Sequence, residues 1–138
     1  MLKTFDNDYY YTQLLTLANN TKNIKIIKKA IYKLTKKYKN NKNYTILLKR
    51  LHMHKTVLLK FCLPKLQQIE NNSLYQIYAT LDETVKSSTI MLNLVLALVG
   101  DNKNISNITK DLIQILTEIS SLADLAKENL ISLILIIS

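Results

Sequence analysis

One glycine, Gly100, and one proline, Pro64, occur in 138 residues. That scarcity constrains the fold more than any motif does, because hairpin turns, phosphate-cradling loops and the sharp elbow around a nucleophilic serine all rely on glycine for backbone angles that other residues resist. What remains is an all-α chain whose turns are made by Asn and Ser. Four clusters of turn-forming residues punctuate it: "NNT" (19–21), "NNKN" (40–43), "NNS" (71–73) and "GDNKNISN" (100–107).

Between the clusters the apolar residues recur with helical spacing. In residues 21–42, Ile24, Ile27, Ile31, Leu34 and Tyr38 step by threes and fours, and Lys22, Lys25, Lys29, Lys33 and Lys36 take similar steps on another face. Each of the three longer segments offers a place to break. Pro64 removes a backbone hydrogen bond from any helix passing through it. The polar, β-branched run "DETVKSST" interrupts residues 73–99, and Ser121 with Asp124 three residues on forms a capping pattern within residues 107–138. Divided in this way, the single domain of residues 1–138 is a set of stacked antiparallel helix pairs, solenoid-like, in which no pair can bury its apolar face alone. The alternative is a bundle of long helices. Leu74, Tyr78, Leu81, Val85, Leu92, Val95 and Val99, with Ser88 as the one polar member, fit an unbroken seam, and so do Ile108, Leu112, Ile115, Ile119, Leu122 and Ala126.

The closing segment "DLIQILTEISSLADLAKENLISLILIIS" resembles the helix-pair pattern of armadillo and HEAT repeats. It has a leucine-rich first helix, a short polar turn, and a second helix with the small Ala126 ahead of "NLISLILI". About thirty residues match well and the other pairs match loosely. The resemblance implies a stacked helical scaffold that binds other macromolecules and performs no chemistry.

Charge is divided as sharply as the apolar residues are. Residues 1–65 hold 15 Lys and Arg against 2 acids, a balance of +13, whereas residues 66–138 hold 4 against 8, a balance of −4. No acid occurs between Asp8 and Glu70. Lysine outnumbers arginine eighteen to one, as an AT-rich coding sequence tends to give, but such a bias acts evenly along a chain and does not produce the asymmetry. A half without carboxylates holds a positive potential that attracts polyanions. The candidate contact residues are Lys22, Lys25, Lys29, Lys33 and Lys36, continued by Lys49, Arg50, Lys55 and Lys60. Guanine readout in a duplex favours arginine, and Arg50 is the sole one, so the contact expected is with an acidic protein segment or a nucleic-acid backbone, with anionic lipid third.

Chemistry-bearing constellations are missing. His52 and His54 in "HMH" point to different sides of a helix and cannot share a metal. Cys62 has no second thiol, so no intrachain disulfide forms, and it reads as a small core residue. No cofactor and no enzyme activity are expected. Tyr9, Tyr10 and Tyr11 form the one aromatic cluster, a seal for the end of the core or, given nearby cations, a platform for an unpaired base. The N-terminus lacks a signal-peptide pattern, and no apolar run reaches the roughly 20 residues that cross a bilayer, so the expectation is an intracellular chain, cytoplasmic or nuclear, without a transmembrane segment.

The expectation is therefore a non-enzymatic helical interaction module whose basic half contacts an acidic or phosphate-rich partner. A lysine-rich, sequence-nonspecific nucleic-acid-binding protein is the alternative, and a subunit of a larger assembly is a third reading. The last rests on "NLISLILIIS", where Leu130, Ile134, Ile136 and Ile137 offer an apolar surface for self-association or a longer partner.

Overall fold

Each turn cluster starts a helix by supplying the side-chain acceptor that the first backbone amides lack. Asn20 Oδ1 accepts from the amides of Lys22 and Asn23, at 3.0 and 3.4 Å. Asn41 Oδ1 accepts from Asn43, Ser73 Oγ from Gln76, and Ser106 Oγ from Thr109. The one glycine serves at a helix end: Gly100 has φ +54°, the left-handed region in which a Cβ is strained, and its amide donates to the carbonyl of Leu96.

The computed structural model describes residues 7–69, 73–100 and 104–137, all helical apart from short connections. Helix α1 is Asn7–Asn19, α2 is Thr21–Lys37 and α3 is Lys42–Thr56. A π-helical segment, Val57–Cys62, continues α3 into the single turn α4, Leu63–Leu66. Two long helices follow, α5 (Leu74–Val99) and α6 (Asn107–Ile137). The fold is all-α, and among the described residues there is no strand.

Helices α5 and α6 form an antiparallel hairpin at the centre. Thr89 Oγ1 meets Ser120 Oγ at 2.8 Å, and seven residues away on each helix Lys127 Nζ meets Asp82 at 3.2 Å, which sets both direction and register. The segment from α3 through the π turn to α4 packs along one side of α5, and α1 and α2 pack along α6. Leu81, Met91 and Val95 of α5 and Leu112, Leu116 and Ile119 of α6 are wholly buried, and so are Ile27, Ala30 and Ile31 of α2, and Leu51 and Leu58 across α3 and the π turn. Burying a side chain of Leu or Ile size removes enough apolar surface from water to contribute about 1.5–3 kcal/mol.

Two of the expected helix boundaries are absent. Helix α5 runs unbroken through "DETVKSST" and α6 through "SSLAD", so these segments follow the long-helix alternative and not the division into pairs. The cause lies in the hydroxyls. Thr84 Oγ1 donates to the carbonyl of Thr80 at 2.7 Å and Ser88 Oγ to that of Thr84 at 2.6 Å, so these buried groups are satisfied by the helix that carries them. Ser87 Oγ donates across to the carbonyl of His54 at 3.0 Å. Ser121 is exposed in mid-helix, and Ala123 and Ala126 beside it are buried small residues. At Pro64 the expected disturbance is present in another form. The chain widens into the π turn just upstream, where the amide of Leu63 reaches back five residues to the carbonyl of Leu58. A wider turn relieves the clash between the proline ring and the preceding turn's carbonyl without ending the helix.

Candidate polyanion-binding surface

Helix α2 is amphipathic because Ile27, Ala30, Ile31 and Leu34 are drawn into the core, which leaves its lysines no direction but outward. Lys22, Lys25, Lys29, Lys33 and Lys36 are all exposed, and so are Lys28 and Lys37. Helix α3 returns antiparallel beside α2 after the turn, where the Tyr38 and Tyr44 rings pack with centroids 4.7 Å apart. On α3 and the π turn, Lys49, Arg50 and Lys60 are exposed and Lys55 is half-buried.

The two helices bring part of this charge together. Lys55 faces Lys28, and its pKa is held below the usual lysine value, first by partial burial and then by repulsion from Lys28. Thr35 Oγ1 and His52 Nε2 lie 3.0 Å apart across the seam. Beside this contact Thr35, Lys39, Thr45, Leu48, Lys49 and His52 line an open groove of about 360 Å³. His52 has its pKa lowered by burial and by Lys55. Lys37 Nζ sits 5.5 Å from the centroid of the Tyr38 ring, a cation held by an aromatic face.

Among the described residues, every ion pair belongs to the hairpin. Asp82 accepts from Lys86 at 3.0 Å and Lys127 at 3.2 Å, and Lys127 also approaches Asp124 at 4.0 Å. The hydrogen bond from Lys86 is the main reason that the Asp82 carboxyl lies below the usual carboxylate range. No cation of α2 or α3 takes part in an ion pair within the described residues.

The other candidate residues are dispersed. Among the C-terminal apolar residues, Leu130 is buried and Ile134 half-buried, whereas Ile136 is 49% and Leu135 72% exposed; the side chain of Ile137 lies outside the described residues. Tyr10 and Tyr11 pack against the core and Tyr9 is 54% exposed. The Tyr11 hydroxyl is buried without a hydrogen-bond partner among the described residues. His52 turns toward α2, and the carbonyl of His54 toward α5. Cys62 is buried, which pushes its thiol pKa up. No group of three His, Cys, Asp or Glu side chains comes together as a metal site among the described residues. No described helix is long and apolar enough to cross a membrane.

Several features escaped the sequence reading. Lys28 and Lys39 belong to the surface but fall off the Lys22 to Lys36 stripe, and only the position of α3 gives them a role. A second groove, about 510 Å³, runs between the π turn and α5, lined in part by Phe61, Cys62, Lys65 and Glu83, and no periodicity signalled it. Comparison of the chain with protein-family models, with curated proteins and with solved structures finds no match.

Proposed function

We propose that the protein is a non-enzymatic helical interaction module that holds an acidic or phosphate-rich partner against the α2–α3 face. The observation that supports this most directly is the combination of exposed lysines on two adjacent helices with no ion pair to neutralise them among the described residues. Cations kept this close repel one another, and an incoming polyanion relieves that repulsion while releasing its own counterions. The α5–α6 hairpin supplies the frame on which the face is mounted.

A salt series tests the reading. A polyanion such as polyglutamate or an oligonucleotide is titrated at rising ionic strength. The logarithm of the affinity is expected to fall linearly with the logarithm of salt concentration. Absence of binding to either probe at low salt overturns the proposal.

A further inference from the structure

Tyr32 is the anomaly on the α2 face. The apolar stripe of α2 passes through Ile24, Ile27, Ile31, Leu34 and Tyr38, and Tyr32 falls outside it. It is 65% exposed in mid-helix, and no hydrogen bond or ring contact engages its phenol ring among the described residues. Its helical neighbours three and four positions away include Lys28, Lys29 and Lys36, with Lys33 adjacent. Residues at those spacings lie about 5–6 Å apart between Cβ atoms, so a free aromatic face stands within a ring of cations. The ring adds nothing to the core, and among the exposed aromatic rings it is the one set in the middle of the lysine-rich helix.

From this arrangement we infer that the partner is a single-stranded nucleic acid whose phosphates run along the α2 lysines while an unpaired base stacks on Tyr32. This rests on the polyanion reading above and names its partner. An acidic peptide pairs with the lysines and leaves the ring idle. A duplex keeps its bases stacked on one another, so its backbone meets the lysines and again leaves the ring idle. An unpaired strand alone presents phosphates and π-faces together, and base–aromatic stacking tolerates any sequence. Helix α2 is about 25 Å long at 1.5 Å per residue, room for several nucleotides. The platform considered for Tyr9 to Tyr11 thus has a better-supplied counterpart in Tyr32, because the cations that such a platform needs surround it.

The test compares three probes of matched charge at low salt: an oligothymidylate of about 12 nucleotides, inside the roughly 4–16 nucleotide range of known single-strand sites, an abasic strand of the same length, and polyglutamate. Wild-type protein is expected to bind the oligothymidylate most tightly. Tyr32→Ala should weaken that binding roughly 5- to 150-fold and leave abasic binding unchanged, with Tyr32→Phe close to wild type. The helical circular dichroism of Tyr32→Ala, an exposed position, should be that of the wild type. Equal affinity for the oligothymidylate and the abasic strand, or no effect of Tyr32→Ala, overturns the stacking inference while salt-sensitive binding preserves the polyanion reading. Tightest binding to polyglutamate overturns it in favour of an acidic protein. Binding to none of the three overturns both.

Discussion

The α5–α6 hairpin and the α2–α3 layer both bury apolar side chains but treat charge in opposite ways. On the hairpin, Asp82 gathers Lys86 from its own helix and Lys127 from the next, and the hydroxyls of Thr84, Ser87, Ser88, Thr89 and Ser120 all find partners. On the layer, Lys28 faces Lys55, and Lys37 settles over a tyrosine ring. Among the described residues the hairpin holds the ion pairs, and no cation of the layer takes part in one. If the proposed face holds a polyanion, stability and recognition fall to different helices, and each can be perturbed while the other is watched.

The largest expected effect is on the hairpin. Leu116 is wholly buried on α6, so Leu116→Ala leaves a cavity and should cost about 2–5 kcal/mol. Urea denaturation followed by circular dichroism measures it. A loss below about 1 kcal/mol would mean that the hairpin is not the frame of the fold.

Next comes the layer. Lys29→Glu with Lys33→Glu touches no core contact, so stability should stay within about 0.5 kcal/mol of wild type per exposed site. Polyanion binding should be lost at moderate salt, and any residual binding should show a salt slope flatter by about 2 units or more. Added salt should also stabilise the unbound wild type, because it screens repulsion among exposed cations within about 10 Å at 0.1 M. Binding unchanged in the double variant would dissolve the contrast and leave α2 an ordinary solvated helix.

How far this division was legible differs between its two halves. Every turn could be read, because Asn20, Asn41, Ser73, Gly100 and Ser106 act through local capping geometry within a few residues of themselves. The lysine stripe could be read for the same reason. Helix continuity could not: whether Ser87 ends a helix or lies inside one depends on the carbonyl of His54, thirty-three residues away. The outward position of Tyr32 was available from its place off the apolar stripe, but its significance needed α3 in position, since only then does the lysine-rich side of α2 become a face shared by two helices.

A smaller effect is expected at Asp82. Asp82→Asn removes the acceptor charge between Lys86 and Lys127 and should cost within about 1 kcal/mol, the range of solvent-screened pairs. Since the folded carboxyl titrates below its ordinary value, its contribution is present above the unfolded pKa of about 3.9 and is lost as pH falls through the folded one. An acid titration of stability that is identical in wild type and Asp82→Asn would remove the network from the account of the hairpin.

The smallest effect, and the one that joins the two regions, concerns His52. Thr35 Oγ1 already donates its hydrogen to the carbonyl of Ile31 at 2.8 Å, so its oxygen is left to accept and His52 Nε2 must carry the proton of their 3.0 Å contact. A neutral ring with the proton on Nε2 satisfies this bond. A second proton is disfavoured, first by burial and then by Lys55 on the same helix, with Lys28 of α2 close to Lys55, and with Lys39 and Lys49 lining the same groove. The folded pKa therefore lies below the unfolded value of about 6.5. The unfolded chain binds more protons in that window, so stability is full above pH 6.5 and declines as pH falls through it toward the folded pKa. A polyanion on the face reverses the balance, since its charge favours the imidazolium. Binding is then expected to take up protons and to tighten as pH falls. His52→Gln should flatten this pH dependence while leaving affinity at pH 8 near wild type. NMR titration of the ring decides the matter directly: a free-protein pKa at or above 6.5, or one that bound polyanion does not raise, would separate His52 from the basic face.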